Sequence, residues 1–144
     1  MWMFPTRMSG GDGGKMRQIK FRGYSEKYKS WHYGSLELAK GDKYFIKSFY
    51  ENGATARTRV DEDSVGQWTG LADCKGNPIY EGDILEDAAG MNYEVCWADN
   101  LAMYVLYSEE HRCAYFDRGC NGEDFEIVGN MYMYDTYEEA KNNA

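Results

Sequence analysis

Apolar and polar positions alternate through much of the chain, and the alternation predicts strands. In Arg17–Tyr24, Ile19 and Phe21 fall on one side and Gln18, Lys20 and Arg22 on the other, the period of a half-buried strand. The polar stretch Ser25–Ser30 separates it from Trp31-His-Tyr33, so the two are expected to form a hairpin. Lys43–Tyr50 reads as an aromatic strand. Asn52-Gly53 is a hairpin signal, because both residue types tolerate φ > 0, and Ala54–Val60 is its return strand. Asp61-Glu-Asp63 is a charged connector. Val65–Thr69 then reads as a short strand, and Lys75-Gly-Asn-Pro78 as a turn. Glu81-Gly-Asp83 is a tight turn before the strand that opens with Ile84-Leu85, with Gly82 free to take φ > 0. Tyr93–Trp97 places Tyr93, Val95 and Trp97 on one face. Leu101–Tyr107 is continuously apolar, the mark of a buried strand. Phe125–Val128 follows, then Gly129-Asn130 as a turn, then Met131–Tyr134. Thr136-Tyr-Glu-Glu139 has the form of a capping box and predicts one short helix.

Strands at this spacing with little helix point to small barrels or sandwiches. The expected fold is mainly β: an N-terminal antiparallel sheet over 16–60, a small SH3-like C-terminal barrel over 64–134, and a short helix and tail over 135–144. Residues 9–15, SGGDGGK, are low in complexity, so 1–15 reads as a flexible N-terminal extension.

Composition changes the picture in one respect. Leu, Ile, Val and Phe together make only 22 of 144 residues, which by itself suggests disorder, but 13 Tyr, 4 Trp and 8 Met can supply the missing core area. Mean hydropathy is −0.72 and no apolar run approaches the length of a membrane span. Cys74, Cys96, Cys113 and Cys120 form no CxxC pair, and no apolar leader precedes them, so they read as free thiols in a reducing cytosol. The expected location is the cytoplasm of a bacterial host, with no membrane association.

Charge is divided more unevenly than the net −8 suggests. Residues 1–60 carry 12 Lys and Arg against 5 Asp and Glu, net +7; residues 61–144 carry 4 against 19, net −15. One reading is that the halves neutralise each other, within a protomer or between protomers in a homo-oligomer. The other is a nucleic-acid surface with Arg17, Lys20, Arg22, Lys27 and Lys29 as phosphate contacts and Tyr24, Tyr28, Trp31 and Tyr33 as stacking rings. The first is favoured, because the acidic half repels phosphate over roughly 8 Å at physiological salt.

Candidate chemistry is sparse. Asp73, Glu81 and Asp83 lie within eleven residues and have the makings of metal or acid–base carboxylates. The structural alternative has Asp73 capping the turn toward Gly76 and Asp83 bonding backbone N–H groups after Gly82, and it is preferred. His32 and His111 give nucleophilic catalysis little material, and His111 beside Cys113 is the only close Cys–His pairing along the chain. No phosphate-binding glycine loop occurs. Trp68, Trp97, Tyr80 and Tyr93 serve either as a ligand platform or, preferably, as core. No cofactor or metal is expected.

Three segments resemble a known family. Met16-Arg-Gln-Ile-Lys-Phe-Arg22 with Gly23-Tyr24 is similar to the opening of the YopX family of phage and prophage proteins. Val65-Gly-Gln-Trp-Thr-Gly-Leu-Ala-Asp73, continuing through Gly76 to Ile79-Tyr-Glu-Gly-Asp-Ile-Leu85, resembles its central signature, the specific part of the match. Glu126-Ile-Val-Gly-Asn-Met-Tyr132 resembles its closing motif. Within these, Gln67, Trp68, Thr69, Gly70, Asp73, Gly76, Tyr80, Glu81, Gly82, Asp83, Gly129 and Asn130 are read as mostly structural. Cys74, where a polar residue is common, and the tail after Tyr132 depart from the pattern. The resemblance implies a phage, prophage or mobile-element origin, a mainly β fold with a barrel-like C-terminal part, and self-association. It implies no established activity and no catalytic residue. The expected function is that of a non-enzymatic accessory protein acting through oligomer contacts and an unknown protein partner. Nucleic-acid binding through 15–29 is the first alternative, and a carboxylate-dependent enzyme the second.

Overall fold

The computed structural model describes residues 17–109, 114–115, 122–134 and 137–143. Expectations about the extension 1–15, the capping residue Thr136, and the His111–Cys113 pair with Cys120 lie outside the described residues.

Among the described residues eleven strands form two antiparallel sheets. The first contains β1 (Phe21–Ser25), β2 (Ser30–Ala39), β3 (Lys43–Phe49), β4 (Thr55–Val60), β5 (Gly66–Ala72) and β6 (Pro78–Tyr80), in the order β4-β3-β2-β1-β5-β6. The second contains β7 (Asp83–Glu86), β8 (Asn92–Ala98), β9 (Met103–Tyr107), β10 (Ala114–Tyr115) and β11 (Glu126–Asn130), in the order β10-β9-β8-β7-β11. The fold is thus mainly β. Among the described residues the second sheet is an open ladder, without the closure a barrel requires.

The expected β1–β2 hairpin forms, with Ser25 opposite Ser30. β3 and β4 form the second hairpin, and Gly53 takes φ 86° in its turn, while Asn52 donates no positive φ but accepts from Ala54 N through Oδ1 at 2.9 Å. The connector 61–63 becomes a single 3-10 turn that Asp61 caps, and the chain returns to add β5 beside β1.

β2 changes partner in mid-strand. Residues 30–34 pair with β1, and residues 35–39 pair with β3. At the switch, a Cβ on Gly34 would collide with the Lys47 carbonyl oxygen, so only glycine permits the two backbones to approach.

The main core lies between the β5–β6 corner and the second sheet. Ile79, Leu85, Tyr93, Val95, Leu106 and Phe125 are buried together, with Leu71, Met91, Tyr104 and Ile127 packed around them. Tyr93 and Phe125 meet edge to face at 5.7 Å. A smaller core in the first sheet holds Tyr24, Ile46 and Val60. Aromatic side chains therefore do part of the burial that the aliphatics are too few to do.

Four local expectations change. On β1 the faces are reversed at one position: Arg22 is buried, whereas Ile19, ahead of the strand, is exposed. An ion pair and two rings compensate the arginine, as described below, and hydropathy patterning contains no such information. Trp97 shares a face with buried Tyr93 and Val95 but is itself exposed, because the strand runs past the core and the ring finds Tyr104 at 5.0 Å instead. Leu101 is exposed in the β8–β9 turn, where Ala102 has φ 53°, and the buried part of that segment is Val105-Leu106. Gly129-Asn130 is not a turn. Both residues pair within β11 across a bulge, opposite Ile84 and Asp83, and the turn is Met131–Met133 instead. Asn130 Oδ1 nucleates it by accepting from Tyr132 N and Met133 N. Met131–Tyr134 consequently contributes one bridge, Asn130 to Tyr134, rather than a strand.

A short C-terminal helix, α1 (Tyr137–Asn143), is present. Its φ angles are positive at Glu138 and from Ala140 to Asn143.

Candidate functional site

The signature residues converge on the seam between the sheets. Asp83, first residue of β7, pairs with Arg22 of β1 at 2.8 Å, and both side chains are buried. The carboxylate also accepts from Tyr80 N at 2.7 Å. This bond runs back across the Gly82 turn rather than to N–H groups after it, because β6 and β7 fold toward each other at Gly82 (φ 93°). The guanidinium lies 4.7 Å from the Trp31 ring centroid and 5.1 Å from that of Tyr80 and donates weakly to Glu81 O at 3.4 Å. Burial lifts the Asp83 carboxyl above its ordinary value, against the pull of Arg22. Tyr80 is pushed up to about 12, mainly by burial. Among the described residues Arg22 Nε and Tyr80 Oη find no hydrogen-bond partner.

Asp73 caps the next turn. Its Oδ1 accepts from Lys75 N and Asn77 N at 2.9 and 2.8 Å, and Oδ2 reaches across the sheets to Ile127 N at 3.0 Å. Burial alone would raise this carboxyl, but the backbone donors Ile127, Asn77 and Lys75 outweigh it and hold it below its ordinary value. Asp73 and Asp83 are thus each bound to other groups, and Glu81 is raised by burial. Among the described residues no group of three His, Cys, Asp or Glu is arranged to hold a metal ion.

The remaining signature residues have local duties. Gln67 O accepts from Glu81 N at 2.9 Å. Trp68 Nε1 donates to Leu71 O at 3.0 Å, and Thr69 Oγ1 donates to Ile79 O at 2.8 Å. Gly70 and Gly76 take φ 90° and 85°. The four rings Trp68, Tyr80, Tyr93 and Trp97 do not assemble into a platform: Trp68 lies opposite Tyr80 in the ladder, while Tyr93 packs on Phe125 and Trp97 on Tyr104. Cys74 is exposed and Cys96 half-buried, its thiol pushed up to about 12 chiefly by burial.

The surface candidates separate as well. Arg17, Lys20, Lys27 and Lys29 are exposed, but Arg22 is buried in its ion pair and offers nothing to a phosphate. Lys29 is held by Glu26 at 2.8 Å. Of the stacking rings, Tyr24 and Trp31 pack with each other and with Tyr132, and only Tyr28 and Tyr33 are exposed.

One open site among the described residues follows from the bend in β2. Where that strand leaves β1 for β3, the residues before β1 and those ending β3 diverge, and an open groove of about 730 Å³ lies between them. Gln18, Ile19 and Lys20 form one wall, Ser48, Phe49 and Tyr50 the other, and Trp31–Ser35 the floor. Ile19, Tyr33, Phe49 and Tyr50 are 52, 44, 64 and 54% exposed. Lys20 Nζ stands 6.0 Å from the Tyr33 ring centroid, and Lys47 Nζ 5.8 Å from that of Phe49. Among the described residues no carboxylate lines the groove. Sequence reasoning found Lys20 and Tyr33 but missed Phe49 and Tyr50. The alternation Phe45, Lys47, Phe49 was the available signal, since it puts rings and cations on one face of β3.

No curated relative matches the sequence. A family model described as YopX protein matches residues 20–134, a span that includes the central and closing signatures, the Arg22–Asp83 pair and both walls of the groove apart from its first residues. The chain therefore belongs to the YopX family.

Proposed function

We propose that this is a non-enzymatic accessory protein of a phage, prophage or mobile element, which acts through contacts with copies of itself and with a macromolecular partner. The observation that carries the reading is the open surface of the first sheet, where Ile19, Tyr33, Phe49 and Tyr50 are exposed beside cations. A patch of rings that a protein leaves in water is characteristic of a contact surface. Two of the three carboxylates considered for catalysis are engaged: Asp73 by three backbone donors, Asp83 by Arg22 and Tyr80 N.

The charge division supports self-contact. Arg22–Asp83 is an ion pair joining the basic and acidic halves, while Lys29–Glu26, Arg57–Glu37 and Lys75–Glu126 stay within one half. Lys43, Lys47, Arg57 and Arg59 lie on the face of the β3–β4 hairpin that also carries Phe45 and Phe49, and the Arg57 guanidinium sits 3.6 Å from the Phe45 centroid. A copy offering its acidic second half to this face would gain from complementary potentials. Light scattering at about 50 mM and 1 M NaCl tests this, since screening shortens from roughly 14 Å to 3 Å. The expected particle is larger than 16.6 kDa at low salt and smaller at high salt, and Lys43→Glu with Lys47→Glu weakens it. A particle of monomer mass in both conditions overturns the self-contact.

A further inference from the structure

We propose that the groove at the β2 bend binds single-stranded nucleic acid, with bases on Tyr33, Phe49 and Tyr50 and phosphates on Lys20 in its wall and on Lys47, which stands outside the lining beside Phe49. This rests on reading the groove as a contact surface and adds the chemical class of its occupant. Three features carry it. The three rings are 44, 64 and 54% exposed, with Tyr33 also packed against Tyr80 at 5.6 Å. The two ammonium groups stand 6.0 and 5.8 Å from the Tyr33 and Phe49 ring centroids, which brings charge to where the backbone of a stacked strand runs. Among the described residues the lining, which also includes His32, contains no carboxylate although the chain as a whole is at −8. Stacking rings in a cationic trough are the common means of binding unpaired strands, because every base has a π-face and sequence need not be read. A duplex hides those faces, and an acidic protein segment would use the cations while leaving the rings without partners.

The phosphate contacts differ from those that the charge run 15–29 suggests. Arg22 is buried, Lys29 is tied to Glu26, and Lys47 comes from a different strand. Two lysines neutralising two phosphates give a slope of log K against log salt of about −1.4 for a single strand. Binding is therefore weak at physiological salt and is best sought at low salt.

The test is fluorescence anisotropy of labelled (dT)12, (U)12 and a 12-base-pair duplex with the full chain at about 50 mM NaCl. Binding of either single strand in preference to the duplex is expected. A preference for (dT)12 or (U)12 identifies DNA or RNA as the source, and equal binding identifies the shared chemistry. Phe49→Ala with Tyr50→Ala should weaken binding about tenfold, and Lys20→Glu should weaken it and flatten the salt slope. Leu101→Ala, an exposed apolar position in the β8–β9 turn of the second sheet, should change nothing. Melting temperatures of the variants check that the fold persists, and the wild-type salt slope is informative without any variant. Absence of single-strand binding, equal affinity for the duplex, or binding indifferent to the groove variants overturns the proposal. If oligonucleotides fail but the low-salt particle still exceeds monomer mass, the contact reading stands and only the nucleic-acid assignment falls.

Discussion

At the scale of single residues, backbone conformation and carboxylate wiring do most of the specifying. Gly82 has φ 93°, and a Cβ there would have 3.7 Å to the Arg22 guanidinium, so space is available and conformation is the obstacle. Gly82→Val should cost about 1–3 kcal/mol through strain alone, read as a shifted denaturation midpoint, and Gly82→Asn should recover part of that loss because Asn tolerates positive φ. Asp73 makes a different kind of prediction. Asp73→Asn replaces an acceptor of three backbone N–H groups by a side chain that turns an NH2 toward one of them. The loss should be about 1–3 kcal/mol at pH 7. The folded carboxyl lies below its ordinary value of 3.8, so its stabilising contribution is complete above the unfolded value and is lost as pH falls through the folded one. Urea unfolding from pH 7 down to 2.5 should therefore show wild type and Asp73→Asn converging at acid pH. A constant gap would mean that the ionised form is not what the three donors hold.

At the scale of elements, the bend in β2 and the turn after β11 determine how the sheets meet. Gly34 is at the bend, and Gly34→Ala would drive a methyl into the Lys47 carbonyl, a backbone atom that cannot step aside. The expected result is a loss of several kcal/mol, at the upper end for single substitutions, with the groove distorted along with it. Tyr132 is the clasp at the other end. Its hydroxyl donates to Asp61 Oδ2 at 2.6 Å, with Glu26 Oε1 at 3.2 Å as a second acceptor, and its ring packs on Tyr24 and Trp31. Burial and the two carboxylates push the phenol above its ordinary value, which keeps it a donor throughout the physiological range. Tyr132→Phe keeps the ring and removes the donor, so it should cost about 1–2 kcal/mol. Chemical denaturation of the full chain measures it, and a cost near zero would leave ring packing as the whole of the clasp.

At the scale of the molecule, Arg22–Asp83 spans both sheets and both charge halves. Removing one member of a buried pair leaves an uncompensated charge and costs about 3–5 kcal/mol, whereas replacing both by apolar residues of similar size is often close to neutral. Arg22→Met alone should accordingly be severely destabilising, and Arg22→Met with Asp83→Leu much less so, in a denaturant double-mutant cycle. The orphaned Arg22 Nε adds to this expectation, since the native pair already leaves a buried donor without a partner. Equal losses in the single and double variants would show that the pair contributes through something other than charge compensation.

Side-chain period along the chain was enough to specify the secondary structure class and most of its punctuation. Alternating aromatics gave the strands, and Gly53, Gly76 and Gly82 marked turns that require positive φ. These are local properties, fixed by side-chain period and backbone freedom within a few residues. The family, too, was legible in short ordered motifs, and the matching model spans 20–134. Tertiary structure decided what lay between distant segments. Arg22 looked like a surface cation until Asp83, sixty-one positions later, came to 2.8 Å from it. Gly129-Asn130 looked like a turn until β7 took it up as strand. The groove exists only because β2 divides its pairing between β1 and β3, which brings Lys20 and Phe49 to the same opening. Hydropathy assigns each residue to water or to the interior one at a time, and it cannot register a charge that is buried because its partner is buried with it, or a ring left in water because two strands part beside it.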